Sequence, residues 1–138
     1  MFKGNIEKLA KENTNFRKVI YTGQNSQLVL MSIPPAEEIG EETHHDTDQL
    51  LFLVEGEGEA IIDDQPSKFT KHEVVFVPAG TKHNFKNTGD EDLKLYTVYS
   101  PPTHKDGTIH KTKEDAEKDE EDSYQKADAS PSDPMENM

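Results

Sequence analysis

The chain has 138 residues, and its 28 acidic and 15 basic side chains give a formal charge of −13, a balance that repels phosphate backbones and anionic lipid and argues against nucleic acid and membrane partners. Cysteine is absent, which removes disulfides, thiolate metal sites and cysteine nucleophiles and leaves His, Asp, Glu and amide groups as the available ligands. The opening MFKGNIEKLAKEN has no apolar signal core and no run of 18 apolar residues occurs, so a soluble, cytoplasmic protein is expected.

In GNIEKLAKEN, Ile6, Leu9 and Ala10 fall at helical spacing and predict one short amphipathic helix. From Phe16 the pattern changes to short apolar runs divided by turn residues: FRKVIYTG, SQLVLMSI, QLLFLVEG, GEAIIDD, EVVFVPAG, HNFKNTG and LKLYTVYS. A series of this kind predicts an all-β sandwich or barrel. QLVLMSI and LLFLV are apolar on both faces instead of alternating, so both faces must be covered. A second sheet of the same chain and a homodimer interface are the two candidate covers, and a homodimer is the expected assembly.

The expected division is an N-terminal segment over residues 1–25 (short helix and first strand), a barrel over 26–110 and an acidic tail over 111–138. That tail holds ten acidic and four basic residues with Tyr124 as its one aromatic, too little apolar surface to offset the entropy of ordering it. It is expected to be largely disordered, with a transient helix where Thr112 and Asp115 stand at capping-box spacing.

Two segments carry the chemistry. In EETHHDTDQ, residues 41–49, an extended strand would point His44 and His45 to opposite faces. In VPAGTKHNFKN, residues 77–87, Pro78 and Gly80 make a turn, His83 follows on the next strand and Asn87 ends it. Brought together across a barrel, the two segments would form a His and carboxylate cluster of the kind that binds a divalent first-row metal. Asp46 and Asp48 read as turn formers, and His45 and His72 as surface residues.

These segments resemble the two motifs of a small single-domain cupin, whose fold is a double-stranded β-helix, or jelly-roll barrel. The second motif, glycine, five residues, Pro-x-Gly, two residues, His, three residues, Asn, is matched by Pro78, Gly80, His83 and Asn87, with His72 in the place of the leading glycine. The first is matched in spacing. Gln49, seven residues before Gly56, takes the place of the glutamate, and a four-residue gap puts His44 and Glu42 at the two histidine positions. A three-residue gap would select His45 and Thr43, and threonine is a poor ligand. Glu42 and His44 share a strand face, which favours the first alignment.

The resemblance implies a divalent metal held by Glu42, His44, Gln49 and His83, in place of the family's usual three histidines and one glutamate. The carboxylate and amide harden the set and favour Mn or Fe over Zn or Ni. Leu51 and Leu53, of the same parity as Gln49, and Phe85, of the same parity as His83, would line a small apolar pocket for a small-molecule ligand or substrate. The implied activity is that of a metal-dependent enzyme, a dioxygenase-like oxidoreductase or a sugar or sugar-phosphate isomerase. Lys82 and Lys86 have the opposite parity to His83, which disfavours the phosphate version. The alternatives are a non-catalytic ligand-binding or structural barrel, in which Gln49 bridges His44 and Glu42 without a metal, and a sensor module contacting partners through its acidic tail. The closing SPPTHKDGTIH resembles a subgroup of short bacterial and archaeal cupins, and its His104 and His110 either fold back over the barrel mouth or stand exposed in a loop.

Overall fold

Asn5 caps the N-terminal helix α1 (Ile6–Glu12) by accepting a hydrogen bond from the Lys8 amide at 3.1 Å, and Glu7 and Lys11 stand at the ends that suit the helix dipole. In the structure, a computed structural model that describes residues 1–119 and 121–123, ten strands follow. They are β1 (Arg17–Thr22), β2 (Gln27–Ile33), β3 (Glu42–Thr43), β4 (Asp48–Glu55), β5 (Gly58–Ile62), β6 (Gln65–Phe69), β7 (Val74–Val77), β8 (Lys82–Asn87), β9 (Leu93–Ser100) and β10 (Ile109–His110). A last helix, α2, spans Lys113–Lys118.

The strands form two antiparallel sheets, ordered β10-β1-β2-β9-β4-β7 and β3-β8-β5-β6. The two inner faces meet as a jelly roll. Val29, Met31, Ile33, Leu51, Leu53, Leu93 and Leu95 of the larger sheet pack on Ala60, Phe69 and Phe85 of the smaller. The second sheet therefore covers the inner face of QLVLMSI and LLFLV. Their outer face is covered in part by something neither candidate supplied. Ala10 of α1 packs with Leu30 and Val54, and Ile6, Leu9, Ile20 and Tyr96 close around them. Beyond the helix, Val74 and Phe76 on the edge strand β7 remain 51% and 55% exposed.

Strands β3, β6 and β10 escape an apolar-run reading. QPSKF of β6 is exposed at all but its last residue, and its Pro66 sits on an edge strand, where a missing amide donor is tolerated. Its turn is built by Asp63 and Asp64, both at positive φ (49° and 66°), as a tight hairpin requires. The sheet itself begins at Arg17, because β1 pairs with β2, so the expected boundary near residue 25 falls between two bonded strands. The segment after His110 is ordered as far as it is described: Thr112 caps α2 by accepting from the Asp115 amide at 3.1 Å, and Ala116 packs on the main core. The expectation of disorder for residues 124–138 lies outside the described residues.

Asn87, the last residue of the second motif, holds the end of β8 in place. Its Nδ2 donates to the carbonyls of Ile33 and Glu91, both at 2.8 Å, and its Oδ1 accepts from the Gly89 amide at 2.9 Å. It joins strand β2 to the turn before β9. Because these are buried backbone groups, Asn87→Ala is expected to cost about 2–3 kcal/mol, measured as the loss of unfolding free energy in denaturant titration, with no direct effect on ligand contacts.

Candidate metal centre

Two backbone links bring the motif segments together. The Gly80 amide donates to the His44 carbonyl at 2.8 Å, and the Ala79 amide donates to Asp48 Oδ1 at 2.9 Å. Asp48 is thus a tie to the other motif's turn, and it begins β4 instead of serving the DTD turn. Gly80 lies at φ +84°, which favours glycine there. With the turn pinned, β3 pairs with β8 so that Glu42 stands directly opposite His83, and directly opposed residues share a face.

Glu42, His44 and His83 each present one ligand atom, and these atoms all lie within 4.8 Å of one another. His44 Nε2 is 3.4 Å from Glu42 Oε1, and the His44 and His83 rings lie 5.4 Å apart. His83 Nδ1 is 2.9 Å from the Thr81 carbonyl, a group that only accepts, so Nδ1 carries the hydrogen and Nε2 keeps a bare lone pair. His45 is exposed, as the register predicts. Burial alone would raise the Glu42 carboxyl, but His44, Arg17 and His83 beside it outweigh burial and hold it below the usual carboxylate range.

Gln49 is buried on the same interior face, opposite Tyr99 of β9. It does not bridge His44 and Glu42. Its Nε2 donates to Thr97 Oγ1 at 3.0 Å, and that hydroxyl spends its own hydrogen on the Leu50 carbonyl at 2.7 Å. The amide is thereby oriented with Oε1 left over.

Among the described residues five buried side-chain atoms lack a hydrogen-bond partner: Arg17 Nε, His44 Nε2, Gln49 Oε1, His83 Nε2 and His104 Nε2. Buried polar atoms are normally paired, so such a collection marks a place for a ligand, an ion or ordered water. Three of the five are donor atoms of the expected metal set, and their chemistry fits a divalent cation.

Residues 29–99 match the family model described as the cupin domain. The chain belongs to the cupin family. This cupin is 42% identical over 123 residues to YrkC of Bacillus subtilis (strain 168), a match covering 83% of the chain and 65% of YrkC, so it spans just under two thirds of that relative. It is 40% identical over 111 residues to L612 of Acanthamoeba polyphaga mimivirus, covering 76% of the chain and 68% of L612. The crystal structure of BH2720 from Bacillus halodurans superimposes with a TM-score of 0.82 at 41% identity, over 84% of this cupin and 92% of BH2720.

The expected apolar pocket is not where the sequence put it. Leu51, Leu53 and Phe85 are at most 2% exposed and fill the barrel centre, because a barrel this small has room only for its own side chains there. The cavity beside Glu42 measures about 410 Å³ and is bordered by Phe16, Arg17, Ile39, Gly40, Lys113 and Ala116 among others. Lys82 and Lys86 point away, as their parity predicts, and pair with Asp64 and Glu38.

Sequence reasoning passed over Arg17, a charged residue that shares the inward parity of Val19 and is only 6% exposed. It also left His104 and His110 undecided. Both are buried, at 7% and 4% exposure, and each is held by a carboxylate of the segment that follows. His104 Nδ1 lies 2.8 Å from Asp122 Oδ2, and His110 Nε2 lies 2.9 Å from Asp119 Oδ2. Gln27 clamps the same strap: its Oε1 accepts from the Thr103 and His104 amides at 3.1 and 2.9 Å, and its Nε2 donates to the His104 carbonyl at 2.7 Å.

Burial holds His104 below the ordinary histidine range despite the pull of Asp122. Asp122, which burial alone would raise, is lowered to about 2 by His104, the Lys105 amide and Arg17. Both groups have folded pKa values depressed below their unfolded ones, so their contribution is complete above about pH 6.5. It should fall as pH drops below 6.5, where the unfolded His104 takes a proton first, and fall again between 3.8 and about 2 as Asp122 is lost. Amide hydrogen exchange at Thr103, His104 and Lys105 is expected to accelerate in that order of pH. Asp122→Asn should remove the lower step while leaving the upper one.

Proposed function

We propose that this cupin is a divalent-metal-dependent enzyme of the dioxygenase-like oxidoreductase class, holding iron(II) or manganese through Glu42, His44 and His83, with Gln49 Oε1 as a fourth and weaker donor. The observation that carries this reading is the convergence of one carboxylate and two imidazoles within 4.8 Å, with His83 Nε2 bare and Gln49 Oε1 unpartnered on the same interior face. Two histidines and one carboxylate with coordination positions to spare is the donor set of non-haem iron(II) oxygenases, and the hard oxygen donors suit manganese as well. When bound, such a metal supplies Lewis acidity and open positions for a chelating substrate beside dioxygen. The chain's own contribution is to orient the donors and exclude water. Thr81 fixes the His83 tautomer, Thr97 fixes the Gln49 amide, and the packed leucines below the site keep it dry.

Elemental analysis of tag-free protein tests the reading. About one equivalent of iron or manganese is expected in the wild type, with loss in His83→Ala and Glu42→Ala and retention in His45→Ala. Loaded protein is then screened for substrate-dependent oxygen consumption, which an isomerase would not show. Protein that takes up neither metal when supplied would overturn the reading in favour of a non-catalytic barrel.

The assembly we propose is a homodimer through the part of the outer sheet face that α1 leaves open. Val74 and Phe76 stand there beside the partly exposed Leu50 and Phe52, their register partners on β4, and an apolar patch of this kind on an edge strand favours pairing with a second copy. Light scattering should give a dimer for the wild type and a monomer for Phe76→Asp, with the fold retained.

A further inference from the structure

Two of the five unpartnered atoms lie outside the candidate metal group. Arg17 is a permanent cation, and His104 is not among the group formed by Glu42, His44 and His83. Both nevertheless face the same end of the barrel. The Tyr99 ring has His44 at 5.8 Å and His104 at 5.0 Å, both edge-on, and the Tyr99 hydroxyl lies beside the Arg17 guanidinium. Arg17 and Glu42 border one cavity of about 410 Å³, with Glu41, Lys113 and Glu117 also on its wall, and His104 reaches this end of the barrel through its contact with Tyr99.

The hydrogen-bond roles of the two residues follow from their carboxylate partners. Asp122 accepts the Nδ1 hydrogen of His104, so His104 Nε2 offers a lone pair and needs a donor. Asp119 accepts the Nε2 hydrogen of His110, so His110 Nδ1 in turn accepts from Arg17 Nη1 at 3.3 Å. That bond, and the Phe16 ring 5.2 Å beneath the guanidinium carbon, hold Arg17 in place while its Nε hydrogen remains unspent. The barrel end therefore presents a fixed cationic donor and a fixed neutral acceptor beside the candidate metal centre.

We propose that this cupin binds a small α-hydroxy carboxylate, its carboxylate on Arg17 and its hydroxyl hydrogen donated to His104 Nε2. An uncharged sugar would leave the Arg17 Nε hydrogen without a charged acceptor. A simple carboxylate would leave His104 without a donor. Adjacent hydroxyl and carboxylate oxygens are also a chelating pair, and for that contact alone the inference rests on the proposed metal at Glu42, His44 and His83. The strap that carries His104, His110, Asp119 and Asp122 thus completes the ligand site, since it supplies His104 and, through Asp119 and His110, the orientation of Arg17.

The test is calorimetric titration of manganese-loaded and metal-free protein with lactate, propionate and lactamide, which differ in turn by the hydroxyl and by the charge. Wild-type protein is expected to favour lactate over each of the other two by about tenfold or more, the usual scale for a charge-assisted bond. Arg17→Gln should erase the preference over lactamide and spare that over propionate, and Arg17→Lys should keep part of it. His104→Phe, or His104→Gln if the first variant does not fold, should do the reverse. Ratios unchanged in the variants, or no lactate binding by folded wild type, would overturn the proposal. Metal content measured on the same samples separates the two readings. Discrimination that persists in protein unable to bind metal sinks only the metal reading, and stoichiometric manganese with no discrimination sinks only this one.

Discussion

The pairing of Glu42 with His83 across β3 and β8 is the contact on which the site depends. β3 is only two residues long and could not hold this register alone. It is held from outside, by the Gly80 amide on the His44 carbonyl and the Ala79 amide on Asp48. Both donors belong to the turn that launches His83. The same turn therefore aims one ligand and fixes β3, which bears Glu42 and leads into His44. A slip of one residue would turn Glu42 and His44 outward and His45 inward, because side chains alternate with period two.

The barrel interior is divided along its length. Its centre is filled by leucines, valines and phenylalanines with almost no exposure, whereas one end gathers Arg17, Glu42, His44, Gln49, His83, Tyr99 and His104. Each unpartnered buried atom there costs about 1–3 kcal/mol, and an apolar substitution would relieve that cost. Retaining several in one place is a pattern that ligand binding explains and packing does not. The burial that makes them costly also strengthens their interaction with a charged ligand, since the local dielectric is low. Tyr99 shows that burial directly: its hydroxyl is pushed well above the ordinary phenol range.

The acidic segment after the barrel acquires a structural use from the same logic. Asp119 and Asp122 belong to a run that composition assigns to solvent, yet each finds a buried histidine, and α2 lays Ala116 against the core. Carboxylates that could remain hydrated are drawn in because His104 and His110 each have a ring N–H to satisfy. The arrangement is mutual: without the aspartates the histidines would be buried with unmet donors, and without the histidines the aspartates would return to water.

The short apolar runs and the turn residues between them determined the all-β class, and motif spacing determined which face carries Glu42, His44, Gln49 and His83, because parity along a strand is a local property. Helix α1 and the capping of α2 by Thr112 were legible for the same reason: caps and amphipathic spacing lie within a few residues. β6 was not, since an exposed polar edge strand has no apolar run to announce it. The tertiary structure alone decided that Leu51, Leu53 and Phe85 fill the core instead of lining a pocket, that Gln49 bonds Thr97, and that Arg17, His104, Asp119 and Asp122 meet near the metal donors. Those are contacts between residues up to about a hundred positions apart, set by how the two sheets close and how the strap returns over them, and local sequence carries no signal of that closure.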